Sequence, residues 1–382
     1  MDRTTETRLV KHVLSHVENR TTDREDGPSR LPVAAYLDDA RNARERSILF
    51  RQLPLPVAHA SMLPRPGDWV AHDDSGVPIL LVRGDDGQIR AFLNVCRHRG
   101  TRVSGAAPCG TAKAFVCPYH AWTYGREGDL VGVPHAHGFE GIDRGGRGLV
   151  PLPVDVVAGL VWVRPERAPL AKPGLDARVW LGDVAADLER FGLASGYVYS
   201  PHTTTRDLSW KLALDVFLEA YHLRPTHKDT IYGMFFDNLG VVERFGPHLR
   251  NLFPKRSIRD LAKLPEDTWS LRAHANILYQ LFPSTLVLVQ PDHAAVVNIW
   301  PVGHDRARLS SYAIIPEPAT TEKARVYWDA NMAILRGAVD EDLAMGESIQ
   351  AGLSSGANDE VVFGAFEHAL RHFHASIEEA TR

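Results

Sequence analysis

The chain has 382 residues, 44% hydrophobic and 24% charged, with a formal net charge of -4. That length leaves room for two domains, the composition is that of an ordinary globular protein, and the weak acidity with scattered arginines excludes an electrostatic footprint for nucleic acid or an anionic membrane. No run of eighteen apolar residues suggests a membrane span, and the N-terminus lacks the apolar stretch of a signal peptide, so a cytoplasmic protein is expected.

Residues 1 to about 50 read as a helical, amphipathic segment, with Leu9, Val13 and Val17 along one face, expected to pack on the C-terminal domain. Short apolar runs punctuated by Pro and Gly follow. Strands are expected at 69–70, 78–82, 89–95, 114–116 and 159–163, separated by turns such as Asp85-Asp86-Gly87. They make residues 51–166 a small all-β domain. A Pro/Ala/Lys/Gly-rich boundary falls between about 166 and 180. Beyond it, a strand at 197–208 and a buried helix at 210–223 precede strands at 285–290, 294–302 and 308–315. Helices over 322–346 and about 360–380 close the chain. Residues 180–382 are therefore expected to form an α+β domain with helices on one face of a sheet.

Two clusters in the β domain carry chemistry: Cys96-Arg97-His98 and Cys117-Pro118-Tyr119-His120, with eighteen residues between His98 and Cys117. One Cys and one His per cluster is the ligand set of a Rieske [2Fe–2S] centre, with two thiolates on one iron and two imidazoles on the other. A structural zinc takes the same ligand types. Zinc ribbons, however, usually pair Cys-x-x-Cys with a second similar pair, and the aromatic run Tyr119 to Tyr124 suits a cluster shielded from water. Cys109, in the turn-rich link between the clusters, reads as an ordinary thiol with no disulfide partner.

The helix at 210–223 runs into Glu219-Ala220-Tyr221-His222-Leu223-Arg224-Pro225-Thr226-His227. His222 and His227 are five apart, which misses the shared face of a straight helix, but Pro225 must interrupt the helix and can let the rings converge. Two histidines and a carboxylate with open positions form the facial triad of non-haem Fe(II) oxygenases. A cluster that delivers single electrons needs such an acceptor.

With these motifs, the chain resembles the α subunits of Rieske non-haem iron oxygenases, the ring-hydroxylating dioxygenase family, over nearly its whole length. The resemblance implies an N-terminal Rieske domain followed by a helix-grip catalytic domain, an antiparallel sheet around a long helix. It implies Cys96, His98, Cys117 and His120 as cluster ligands, and His222 and His227 as iron ligands. The family's third iron ligand is a late Asp. Among Asp340, Glu341 and Asp342 the place before Ser348-Ile349-Gln350 selects Asp342, a solvated helix face being the competing reading for the other two. Glu219 takes the place of a carboxylate that links a Rieske His of one subunit to an iron-ligand His of its neighbour in a head-to-tail homotrimer. Most ring-hydroxylating members have Asp there, and Glu is similar to the variant in oxygenases of quaternary amines such as carnitine. Ala121 replaces a frequent Gly, read as a packing change. Asp215 replaces a frequent Asn and is available to pair with Lys211.

No Gly-x-Gly-x-x-Gly fingerprint follows a strand, so a separate NAD(P)H-dependent reductase is expected, with or without a ferredoxin. O2 is the implied co-substrate. Phe217, Leu218 and Met234 are candidate pocket residues; Tyr232, Phe235, Phe236 and Trp300 are aromatic faces available to a cation. Aromatic-ring hydroxylation stands first, and demethylation or C–N cleavage of a methylated amine second. A Rieske electron carrier with a non-catalytic binding domain is the reading from another class.

Overall fold

The computed structural model describes residues 1–166 and 174–382, so the middle of the expected boundary stretch lies outside the described residues. Two compact units result: Phe50–Trp180, and Met1–Leu49 together with Leu181–Arg382. No helix among the described residues is long and apolar enough to cross a membrane.

The first unit is all-β. Its five-stranded antiparallel sheet runs in the order Pro151–Leu152, Ile89–Leu93, Ile79–Arg83, Asp68–His72, Cys109–Thr111. Cys109 thus lies in a short edge strand rather than a turn. A second sheet joins Val154–Val157, Leu160–Val163 and Leu55–His59, the last unannounced because Pro54 precedes it and Pro56 lies within it. A third, Phe115–Val116, Thr123–Tyr124 and Leu130–Gly132, carries one Cys/His loop at its first hairpin; the other follows Ile89–Leu93. Trp69, Leu80, Phe92, Phe115 and Tyr124 pack with both cluster cysteines into one core, fixing the two loops against each other.

The second unit is built on a seven-stranded antiparallel sheet. Its order is Tyr197–Arg206, Ala307–Ile315, Ala294–Pro301, Thr285–Val289, Ala275–Leu281, His248–Pro254, Val241–Phe245. The helix Trp210–Asp215 packs against the Ala294–Pro301 strand and the long helix Glu322–Ser354. That helix is eight residues longer at its C-terminal end than the sequence suggests, and Asp342 and Gly346 lie one turn apart on it. A Cβ on Gly346 would stand 2.6 Å from Leu208 Cδ1, so glycine permits the close approach of the helix to the segment leading into Trp210.

Two expected helices are revised. The one at 210–223 stops at Asp215 and a separate turn of helix, Leu223–Thr226, follows. The break precedes Pro225 by many residues. Val216 and Phe217 are poor helix formers, and the Glu219 carboxylate accepts the backbone N–H groups of Tyr221 and His222 as a capping side chain does. Pro225 sits within the first turn of the short helix, where its missing N–H is not needed. At the C-terminus, Glu360–Phe363 is a strand paired with Ser29–Pro32, and the helix begins only at His368. Val361 and Val362 favour the extended form.

Candidate active site

In the β unit, the Cys96 and Cys117 thiols lie within hydrogen-bonding reach of each other and the His98 and His120 rings lie 4.6 Å apart, centroid to centroid. Both cysteines are buried, and burial pushes the Cys117 thiol up. The Nδ1 atoms of His98 and His120 are buried and take no hydrogen bond. Thiols at one end and unpartnered imidazole nitrogens at the other fit a two-iron cluster. Trp122 stacks on His98 at 4.9 Å and is buried, whereas Tyr119 is 55% exposed, so only part of the aromatic run shields the site. Tyr124 does more than shield. Its hydroxyl lies 3.3 Å from Cys96 Sγ while accepting the Arg97 N–H at 2.8 Å, leaving its own proton free for sulfur. Ala121 has φ of 55°, in the left-handed region, so its replacement of glycine bears on backbone conformation rather than packing.

In the second unit, His222 and His227 bracket the short helix, and their Nε2 atoms lie 3.3 and 2.9 Å from Asp342 Oδ1. That oxygen is buried yet receives no hydrogen bond, because neither ring addresses it in donor geometry. The opposite ring nitrogens are held: His222 Nδ1 by Glu219 and His227 Nδ1 by Glu341 at 2.7 Å. Burial opposes charge on His222, but the carboxylates of Asp342 and Glu219 on either side of the ring prevail and raise its pKa to about 10. Two imidazole Nε2 atoms converging on one buried carboxylate oxygen are a donor set that fits a divalent metal. Among the described residues one other group of this type converges, His12, His16 and Asp23. There Asp23 also accepts the Val242 N–H, tying the first helix to the edge of the sheet.

A model of the ring-hydroxylating α subunit catalytic domain matches residues 193–382, and a Rieske [2Fe–2S] domain model matches residues 54–149. The chain belongs to the Rieske oxygenases, as an α subunit. It is similar to the carnitine monooxygenase oxygenase subunit of Escherichia coli (strain K12), 28% identical over 364 residues, with 90% of this chain and 91% of the relative covered. It is similar to biphenyl 2,3-dioxygenase subunit alpha of Rhodococcus jostii (strain RHA1), 34% identical over 223 residues, with 57% of this chain and 48% of the relative covered. Its fold matches the crystal structure of a quaternary ammonium Rieske monooxygenase in complex with L-carnitine, at a TM-score of 0.78 and 22% identity, over 92% of this chain and 96% of that one. As a Rieske oxygenase the protein uses a [2Fe–2S] cluster and a mononuclear iron, with O2 and with NAD(P)H spent by a reductase partner. The two donor sets fit these groups in type and number.

Beside the three converging side chains, the oxygenase encloses a cavity of about 360 Å³, near the small end of the roughly 300–1,000 Å³ usual for small-molecule sites. Phe217, Met234 and Phe235 line it. Leu218 does not and is packed away at 1% exposure. Tyr232 and Phe236 lie under the guanidinium groups of Arg256 and Arg259, and Trp300 is 1% exposed within the sheet, so none of the three faces the cavity. Asp215 does not pair with Lys211. It accepts hydrogen bonds from Tyr36 at 2.6 Å and His374 at 3.1 Å, while Lys211 pairs with Glu45 at 2.5 Å. Of the acidic run, Asp340 pairs with Arg206 at the surface, but Glu341 holds His227 and Thr230. Lys255, Asp292 and Tyr327 also line the cavity and carry no motif that would announce them.

Proposed function

We propose that this chain is the oxygenase component of a system that hydroxylates a carbon beside the nitrogen of a small quaternary ammonium substrate. The likeness to the carnitine monooxygenase subunit carries this reading, because it spans nine-tenths of both chains while the dioxygenase match covers about half of each. It supports amine oxidation over ring hydroxylation, the reverse of the order expected from sequence. A C–H bond, O2, two electrons and two protons give C–OH and water. The hydroxylated carbon beside nitrogen then releases a tertiary amine, a carbonyl compound and a proton. NAD(P)H supplies the electrons through the reductase.

In this reading Cys96, His98, Cys117 and His120 hold the cluster, and His222, His227 and Asp342 hold the iron. Once loaded, the cluster supplies single electrons and the iron activates O2. The protein does the rest. Glu219 and Glu341 fix the two rings by their Nδ1 atoms, so that both Nε2 atoms face Asp342. Phe217, Phe235 and Phe253 give the cavity a largely apolar, aromatic wall that excludes water and can attract a desolvated cation. We assign Glu219 a second task, the bridge to the Rieske His of a neighbouring subunit in a homotrimer. Its side chain is only 10% exposed but lies beside Tyr221, which is 58% exposed.

The test is a turnover screen with a surrogate reductase, NADH and O2 across methylated amines and arenes. Tertiary amine and aldehyde formed in step with O2 consumption are expected. Hydroxylated arenes as the coupled products, with amines inert, would restore the ring-hydroxylation reading. Metal analysis addresses the carrier reading: three irons per chain for an oxygenase, two for a carrier. Sedimentation of the holoenzyme addresses the trimer.

A further inference from the structure

We propose that His12, His16 and Asp23 bind a zinc ion that fastens the N-terminal helix to the edge of the large sheet. The helix Arg3–Asn19 buries Leu9, Val10 and Val13. His12 and His16 are four apart on it, so their rings share one face beside that apolar stripe, 4.7 Å apart from centroid to centroid. The helix ends at Asn19, where Arg20 takes the left-handed conformation at φ 55°. That turns the chain back along the helix. The Thr21 N–H donates to the His16 carbonyl at 3.0 Å, and Asp23 arrives opposite both rings.

The donor atoms converge as they do at His222, His227 and Asp342. His12 Nε2 and His16 Nε2 lie 3.1 and 2.9 Å from one oxygen, Asp23 Oδ1, and all three donors fall within 4.8 Å of one another. Donors about 2.0–2.1 Å from a tetrahedral zinc stand roughly 3.3 Å apart, close to these separations. A hydrogen bond to the carboxylate accounts for the His16 ring alone; a metal accounts for both rings. Two of the groups are also oriented from behind. His16 Nδ1 meets the Thr21 hydroxyl at 2.8 Å, so when Nδ1–H donates to that oxygen the Nε2 lone pair faces the site. Asp23 Oδ2 accepts the Val242 N–H at 2.9 Å, which leaves Oδ1 for the ion. The Asp23 N–H donates to the Gly240 carbonyl at 3.2 Å, and Thr22 Oγ1 accepts the Gly240 N–H at 3.0 Å. The loop is therefore laced to the edge strand Val241–Phe245, and an ion held by all three side chains ties the helix to that strand. Imidazole and carboxylate donors without a thiolate suit zinc, with a fourth position for water beside the 40% exposed His12. The run His12-Val13-Leu14-Ser15-His16 has the helical spacing of zinc hydrolases but not their glutamate, so the ion braces rather than hydrolyses.

The experiment titrates zinc chloride into the untagged holoenzyme by calorimetry, and metal analysis after gel filtration counts zinc and iron. One zinc per chain is expected with all iron retained, and X-ray absorption at the zinc edge should show a nitrogen and oxygen shell with two imidazoles and no sulfur. Thr21→Val removes only the partner of His16 Nδ1 and should weaken zinc by roughly 10- to 100-fold. His12→Gln and Asp23→Asn each remove a ligand and should weaken it by more than that. Asparagine keeps an acceptor for the Val242 N–H, so Asp23→Asn separates the ligand from the tie to the sheet. Zinc should raise the unfolding midpoint of the wild type and leave those of His12→Gln and Asp23→Asn where they are. Equal zinc uptake by the wild type and these two variants, an adventitious ion only, overturns the site. No uptake by the wild type, or zinc that enters only as catalytic iron leaves, overturns it as well.

Discussion

Removing the Glu45 carboxylate should destabilise the second unit far more than its sequence position suggests. Glu45 is fully buried and faces Lys211 Nζ at 2.5 Å, Arg41 Nε at 2.9 Å and Trp210 Nε1 at 3.3 Å; Lys211 is 1% exposed. Burial already lowers the Lys211 pKa, and the Glu45 charge is what opposes it. In Glu45→Leu the amine must stay charged without a partner or shed its proton. A lysine that titrates near 10.4 in water loses its proton at pH 7 at a cost of about 4.6 kcal/mol, which caps the penalty. The expected loss is therefore about 3–5 kcal/mol, the range for a broken buried pair. Guanidinium unfolding should show it as a lower midpoint in the transition of the unit holding residues 45 and 211, with the other transition unmoved. The pH dependence carries a sign. In the variant the unfolded state binds a proton that the folded state has lost, so stability should climb with pH by up to about 1.4 kcal/mol per unit until the unfolded lysine titrates near 10.4. Glu45→Leu combined with Lys211→Met should recover most of the loss and abolish the climb, Arg41 turning to Glu378, which it already approaches at 3.7 Å. A loss under about 1 kcal/mol in Glu45→Leu, or an equal loss in the double variant, would refute the reasoning.

Four further outcomes are expected. Ala121→Gly should stabilise the β unit by about 0.5–1 kcal/mol, because it relieves a left-handed alanine at a partial cost in unfolded-chain entropy; unfolding followed by the cluster's visible absorption reads it. Tyr124→Phe removes the hydroxyl beside Cys96 Sγ, and the loss of roughly 1–1.5 kcal/mol of hydrogen bonding to the reduced cluster should lower its potential by about 40–65 mV in a redox titration. Glu341→Ala frees the His227 ring and should weaken catalytic iron by roughly 10- to 100-fold in a chelator competition, with the two cluster irons retained. Gly346→Ala forces a methyl against Leu208 and should destabilise by about 1–3 kcal/mol in thermal unfolding, the catalytic iron being lost first.

The parts of the site that the sequence displays are those whose chemistry needs a fixed spacing. Each Cys/His loop is a local turn, and its ligands lie two or three residues apart, so Cys96, His98, Cys117 and His120 are visible as a pattern. His222 and His227 are visible as a pair, but the reason they converge was not: Pro225 draws the eye, whereas the chain leaves the helix at Val216 and is capped again by Glu219. Of the three strands at one edge of the large sheet, His248–Pro254 is hidden from the sequence because it buries a charge. Arg250, 2% exposed, is neutralised there by Asp187 and Glu243, partners 63 and 7 residues away, and it breaks the alternation that would mark a strand.

The same logic explains why the iron side chains come from such unlike elements. Asp342 rides on a helix that Gly346 lets approach Leu208, and the Trp210–Asp215 helix is held from the other side by Glu45, Tyr36 and His374. The seven residues from Val216 to His222 lie between the Trp210–Asp215 and Leu223–Thr226 helices, and their side chains divide. Val216, Phe217 and His222 turn to the cavity, Leu218 turns to the core, and Glu219 closes back on the following backbone and on His222. A continuous helix would have put His222 and His227 on different faces. Ending it early gives up a few backbone hydrogen bonds, which the Glu219 carboxylate partly replaces, and places both rings against one carboxylate from a distant part of the chain. That arrangement leaves one side of the three donors facing the cavity, where O2 and the substrate must meet.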